Sequence, residues 1–379
     1  MILPGATLGI LGGGQLGQMI AMEARRLGYR VAVLDPDPQC AARPWADDFV
    51  QGAFHDADAA VRLAERADVV TLETEHIPAP VLEAVEKVRP LHPSSRVLAV
   101  VQDRLRQKEF LAKHGFPTAP FRPVDDEQGV RAALRELGAP IVLKTRRGGY
   151  DGKGQAVVKG PDEAADAWRR IGQAPAVAEA FVRFDRELSV LLARAHDGEV
   201  RIYPLAENVH RRGILHTTVA PARAQASLVQ EGYALGQAIA QALDLRGMLA
   251  VETFEAQGRL VVNELAPRTH NSGHTTFGAS SVSQFEQHAR AVLGLPLREP
   301  TTLSPAVMLN LLGDLWEGGA PDWRPVLAEP RARLHLYGKK DARPGRKMGH
   351  VLVLHADPAQ ALSIAQRLHE TLSKGADPR

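Results

Sequence analysis

Short apolar runs alternate with amphipathic stretches over the first ninety residues. Thr7 to Leu11 is an apolar run of strand length, and Gln15 to Gly28 repeats its apolar positions at helical spacing and is closed by glycine. Arg30 to Leu34 is a second apolar run that ends at Asp35, and Asp68 to Leu72 is a further one. This rhythm predicts an open parallel sheet with helices on its faces and ligands at the carboxyl ends of its strands, where Glu73, Glu75 and His76 fall. From Pro93 to His114 the pattern is helical, and Gly115-Phe116-Pro117 stops it.

The pattern then changes. Pro140 to Lys144 is an apolar run leading into a glycine-rich loop, Gly148 to Gln155, with a strand on its far side. A helix near Asp162 to Ile171 and a strand from Ala176 to Phe181 follow. Another sheet begins near Arg186 with a strand pair around Asp197-Gly198, and Gly247 to Phe254 and Arg259 to Leu265 form a hairpin turned at Gln257-Gly258. Beyond about Ala306, strands are expected at Arg331 to Tyr337 and His350 to His355, and a helix from Pro358 to Leu372. The expectation is an α/β and α+β chain in three segments: an N-terminal open βαβ sheet at 1–96, a small α+β lid at 97–184, and a larger C-terminal α+β sheet at 185–379.

Composition narrows the classes. At 379 residues, 45% apolar and 24% charged, the chain has the make-up of a soluble globular protein with room for several cores. A formal charge of +2 gives no general attraction for nucleic acid or membrane, so any basic site must be local. The single cysteine, Cys40, excludes an intramolecular disulfide and a cysteine zinc site. Neither a signal-peptide pattern nor a bilayer-length apolar stretch is present, which leads to the expectation of a cytoplasmic protein.

Five motifs carry candidate chemistry. In GGYDGKGQ, Gly148 to Gln155, backbone amides can approach phosphate oxygens, with Lys144 and Lys153 as point charges, although a plain hairpin tip uses the same residue types. Gly12-x-Gly14-x-x-Gly17 with Asp35 matches a dinucleotide fingerprint, but it also describes a glycine turn that merely permits close helix packing. On the hairpin, a three-residue turn sets Glu252 opposite Glu264 and a two-residue turn sets it opposite Asn263; facing carboxylates suit Mg²⁺ shared with phosphate. The run from Asn263 to His274 (NELAPRTHNSGH) clusters Arg268, His270 and Asn271 after a strand end, where a guanidinium can meet developing anionic charge. Lys339 to Lys347 gathers five cations, either a solvated surface run or a phosphate clamp.

Lys144, GGYDGKGQ, the Glu179-Ala180-Phe181-Val182 hinge with Glu187, and Glu252 with Asn263-Glu264 occur in the order found in ATP-grasp enzymes, and the chain resembles that family. The motifs GGGQLGQM, QDRLRQKEFL, NELAPRTHNSGH, GASSVSQFEQH and RPGRKMGH resemble, over nearly the whole chain, the N5-carboxyaminoimidazole ribonucleotide synthetases of purine biosynthesis. The resemblance implies joining of bicarbonate to aminoimidazole ribonucleotide with ATP and Mg²⁺, by a homodimer with no nucleic-acid partner. It implies ATP binding by Arg104, Lys144, Gly149, Tyr150, Asp151, Gly152, Lys153, Gly154, Gln155, Glu179, Ala180, Phe181, Val182, Glu187, His210, Asn263 and Glu264. It implies Mg²⁺ binding by Glu252 and Glu264. It places the ribonucleotide on Gln15, Glu73, Tyr150, Asp151, Lys340, Arg343, Arg346 and Lys347, and chemistry on Asp151, Arg268, His270 and Asn271.

One departure is visible: many ATP-grasp enzymes carry Asn-Pro-Arg after the magnesium glutamate, whereas this chain has Ala266-Pro267-Arg268 and lacks that amide. Three other readings stay open at this point: a sister enzyme that activates a different acid, an NAD-linked dehydrogenase, and a non-catalytic nucleotide-binding scaffold.

Overall fold

The computed structural model describes residues 1–149 and 152–374; Tyr150 and Asp151, both singled out above, and residues 375–379 lie outside the described residues. The N-terminal apolar runs form a parallel sheet in the order Asp48–Gln51, Arg30–Asp35, Thr7–Leu11, Val69–Leu72. Thr7–Leu11 is buried along its whole length because the sheet is covered on both faces. Ala59 and Leu63 of the helix Ala57–Glu65 pack on one face. Met19 and Ile20 of the helix Gln15–Arg26, with Phe285 and Ala289 from the helix Gln284–Leu293, pack on the other. A helix from the C-terminal half thus closes the N-terminal core.

The helical pattern from Pro93 to His114 forms two helices, Ser95–Val101 and Arg104–Lys113. Asp103 makes the break: its side chain accepts the amide of Leu105 (3.0 Å), so a new helix starts there, and it also accepts Arg146 Nη2 at 2.7 Å. Arg104 is thereby placed in the first turn.

A second sheet, all antiparallel, runs Phe121–Val124, Ala176–Ala180, Ile141–Thr145, Gln155–Val158. Ile141–Thr145 alternates buried and half-buried residues. Ile141 and Leu143 pack on Val130, Leu134 and Trp168 from two helices, so Val142 and Lys144 face the other way. Lys144 pairs with Gln155 across the glycine loop, as the flanking strands predict.

The third sheet has nine strands, and its order begins Arg259–Ala266, Gly247–Ala256, Arg186–Arg194, Ala206–Arg211, Ile214–Ala220. The hairpin turn holds both Gln257 (φ 53°) and Gly258 (φ 72°) in the left-handed region, as a two-residue hairpin turn requires. Among the described residues no helix is long and apolar enough to cross a membrane.

Candidate active site

The lid sheet and the nine-stranded sheet face each other across a cavity of about 730 Å³, a volume within the range of small-molecule sites. From the lid come Lys144, Gln155 and Glu179; from the large sheet come Glu187, His210, Glu252, Phe254, Asn263 and Glu264. Pairing explains part of the second set, since cross-strand partners share a face: Glu187 stands opposite Phe254, and Glu252 lies two residues from Phe254 on the same strand face.

The decisive register lies on the hairpin. Ala256 pairs with Arg259, so its loop has two residues and would set Asn263 opposite Glu252. A β-bulge intervenes: Thr253 pairs with Val262, and the next pair is Glu252 with Glu264. Asn263 is the extra residue, and the bulge brings both Asn263 and Glu264 to the cavity, which strict alternation forbids. Strand Gly247–Ala256 keeps unbroken register with Arg186–Arg194, so the irregularity falls on Arg259–Ala266, the sheet's edge.

The two facing carboxylates differ. Burial raises the Glu252 carboxyl, but a hydrogen bond from His270 (Nε2 to Oε1, 2.9 Å) and the charge of His270 outweigh it and hold the pKa at about 2. Glu264 is raised by burial and by Glu252, with Arg104, 3.6 Å away, opposing. Two neighbouring carboxylates with one pushed up form an incomplete oxygen shell, which fits a hard divalent cation shared with phosphate oxygens. Among the described residues no group of three or more His, Cys, Asp or Glu side chains forms a metal site without such help.

Cations surround this pair. Lys144 Nζ donates to Asn263 Oδ1 at 3.0 Å and stands 3.1 Å from Glu179 Oε1. Arg104 donates to the carbonyls of Thr145 and Gly149, both at 3.0 Å, tying the helix start to the glycine loop. Arg268 makes a two-point ion pair with Glu75, with Nη2 to Oε1 at 2.8 Å. Burial raises the Glu75 carboxyl and lowers the Arg268 guanidinium, but each partner's charge prevails: Glu75 falls to about 2 and Arg268 rises. Burial would lower His210, yet its short contact with Glu187 raises it. Asn271 is buried at the cavity wall, and neither end of its amide has a partner among the described residues.

The glycine fingerprint is filled from within. Glu73 accepts the amides of Gly14 (2.7 Å) and Gly17 (2.9 Å), and Asp35 accepts that of Gly13 (2.7 Å). A Cβ on Gly14 would lie 2.5 Å from Glu73 Oε1, so the glycines admit a protein carboxylate. The amides a pyrophosphate would use are taken, which removes the basis of the dehydrogenase reading.

Three family models match in chain order: a ribonucleotide synthetase preATP-grasp domain over residues 5–102, an ATP-grasp domain over 109–285, and a phosphoribosylaminoimidazole carboxylase C-terminal domain over 306–363. The N5-carboxyaminoimidazole ribonucleotide synthase of Brucella melitensis is 46% identical over 92% of this chain and 96% of its own length. The chain belongs to the N5-carboxyaminoimidazole ribonucleotide synthase family. It is similar in structure to an ADP complex of such a synthetase, with TM-score 0.94, 42% identity, and coverage of 100% of this chain and 99% of the other. It is also similar to the Aspergillus clavatus synthase in complex with ADP and 5-aminoimidazole ribonucleotide, with TM-score 0.90, 34% identity, and coverage of 97% and 99%.

Within this synthase fold, every described residue expected to serve nucleotide, metal or loop chemistry lines the cavity except Gly154, whose carbonyl accepts the amide of Thr145. Of the residues expected to hold a ribonucleotide, Gln15, Glu73 and Lys347 line it. Lys340, Arg343 and Arg346 stand outside the wall; Arg343 pairs with Asp341 at 2.7 Å, and Arg346 donates to the Asp341 carbonyl at 2.7 Å. Sequence reasoning noted Glu75 at a strand end but gave it no role, and it overlooked Lys108, which meets Glu179 at 3.0 Å. The signal for Lys108 was its place inside QDRLRQKEFL, one helical turn after Arg104.

Proposed function

We propose that this chain joins bicarbonate to the exocyclic amine of 5-aminoimidazole ribonucleotide, converting ATP to ADP and phosphate and forming N5-carboxyaminoimidazole ribonucleotide. The observation that supports it most is the bulged pair Glu252 and Glu264, which shares one cavity with Lys144, Arg104 and the Arg268 loop. ATP lies between the two sheets, with its base at the Glu179 to Val182 hinge and its ribose near Glu187 and His210. Glu252 and Glu264 hold Mg²⁺, which when bound neutralises charge on the phosphate oxygens.

A bicarbonate oxygen attacks the γ-phosphorus, ADP leaves, and carboxyphosphate forms. Lys144 and Arg268 stabilise the charge on the transferring phosphoryl group. The amine nitrogen then takes the carboxyl carbon, phosphate leaves, and His270 and Asp151 receive or orient the amine proton. The lid, residues 97–184, shields the reactive acyl phosphate from water between the segments 1–96 and 185–379. Gln15, Glu73, Tyr150 and Lys347 hold the ribonucleotide, and Lys340, Arg343 and Arg346 close on its phosphate. The enzyme acts as a cytoplasmic homodimer in this reading.

The test is ADP release with Mg²⁺ and bicarbonate, with and without 5-aminoimidazole ribonucleotide. Strong stimulation by the ribonucleotide, lost when bicarbonate is removed, is the expected result. Equal ADP release in all three conditions would falsify the reaction.

A further inference from the structure

Glu179 is 4% exposed and carries a carboxylate that needs a counter-charge at all times. Two lysines supply it from opposite sides. Lys144 lines the cavity and stands 3.1 Å from Glu179 Oε1, while it donates to Asn263 Oδ1 at 3.0 Å. Lys108 approaches Oε2 at 3.0 Å from behind the cavity wall, and it is 2% exposed. It also donates to Thr118 Oγ1 at 2.8 Å, and Thr118 donates to the carbonyl of Val262 at 3.1 Å, beside the bulge. Lys108 is therefore held from the helix Arg104–Lys113, the lid strand and the hairpin together, and has no route to a ligand.

A phosphate chain in the cavity competes with Glu179 for Lys144. If Lys144 were the sole counter-ion, moving it would strand a buried carboxylate, and that penalty would be subtracted from ATP affinity. We propose that Lys108 is a positioning residue for nucleotide binding, a permanent partner of Glu179 that leaves Lys144 free to engage phosphate. The inference rests on the reading that the cavity takes ATP. It adds a role for a residue that touches no substrate.

The experiment is isothermal titration of ATP in Mg²⁺, without ribonucleotide or bicarbonate, into wild type, Lys108→Met and Lys108→Met/Glu179→Gln, with adenosine titrated in parallel. Lys108→Met is expected to weaken ATP by about tenfold or more while adenosine binding stays within a few-fold, because the loss acts through phosphate. Removing the Glu179 charge as well leaves the hinge backbone in place, and it is expected to restore the ratio of ATP to adenosine affinity to within a few-fold of wild type. Unchanged ATP affinity in Lys108→Met, or equal loss of ATP and adenosine, overturns the proposal. So does a double variant whose ratio of ATP to adenosine affinity is about tenfold below that of wild type, a criterion that holds even if Lys108→Met alone fails to fold. Because the readout is ATP affinity, wild type that binds ATP yet carboxylates nothing counts against the proposed reaction and leaves this test intact.

Discussion

Glu252 and Glu264 stand directly opposite each other on neighbouring strands because Asn263 bulges out of the ladder between them. Their repulsion costs the ligand-free protein a little, damped by the water that reaches Glu264, whose side chain is 39% exposed; partial burial and the charge of Glu252 push the Glu264 carboxyl upward. Glu264→Gln removes one charge and keeps the shape. In the absence of nucleotide and metal its melting temperature should rise by about 1–3 °C, while Mg-ATP-dependent turnover should fall by about a hundredfold or more. A lower melting temperature for the ligand-free variant would contradict the repulsion.

Glu73 occupies the glycine-loop amides, and two outcomes follow from that. Titration with reduced nicotinamide dinucleotide should give no change in its fluorescence. Gly14→Ala, whose methyl would lie 2.5 Å from Glu73 Oε1, should displace the carboxylate. The ribonucleotide KM should then rise by about tenfold with ATP affinity unchanged. If ATP affinity fell instead, Glu73 would belong to the nucleotide end of the cavity.

Gln284 clamps the backbone of His270 at both ends: its Oε1 accepts the His270 amide at 2.9 Å, and its Nε2 donates to the His270 carbonyl at 2.6 Å. A Cβ on Gly273 would come within 2.3 Å of Gln284 Oε1. Gly273→Ala and Gln284→Leu should therefore lower kcat by about tenfold to a hundredfold with little change in ATP affinity. Wild-type kcat in both variants would remove the loop from the chemistry.

His288 joins the N-terminal sheet to the large one. Its Nδ1 accepts the Met248 amide at 3.1 Å, so Nε2 carries the proton and donates to Thr71 Oγ1 at 2.7 Å. Burial, with a smaller push from His92, lowers its pKa from 6.5 to about 3. The unfolded chain binds a proton below pH 6.5 that the folded chain refuses, so stability is complete above that value and declines as pH falls towards 3. The slope is about 1.4 kcal/mol per pH unit for this group. His288→Gln keeps an acceptor and a donor. Urea unfolding between pH 7 and pH 4 should show a flatter acid limb by about one proton, and an unchanged slope would refute the assignment.

Much of the fold was legible because its local signals were strong. Thr7 to Leu11 and Arg30 to Asp35 lie where their apolar runs placed them. The hairpin turned at Gln257-Gly258. The helical pattern from Pro93 to His114 forms as two helices, Ser95–Val101 and Arg104–Lys113. Asp103 interrupts it through a cap reinforced by Arg146, forty-three residues away in the chain.

The site divides along the same line. Residue types and their order, with the family resemblance they carry, named most of the polar and charged groups that line the cavity, since phosphate, metal and leaving-group chemistry demand glycines, cations and paired carboxylates in recognisable clusters. The sequence left the Glu252 and Glu264 pairing open: a three-residue turn would give it directly, whereas the two-residue turn that forms gives it only through a bulge. A two-residue turn sets one register, and only the unbroken ladder with Arg186–Arg194 forces the bulge onto the edge strand. The carboxylate in the glycine fingerprint comes from Glu73, and the second counter-ion of Glu179 is Lys108, seventy-one residues earlier in the chain. Sequence alone determined which chemical groups this protein brings to its cavity, because composition and local spacing are properties of short segments. Tertiary structure decided which of those groups face one another and with what charge, because register and burial depend on segments far apart in the chain.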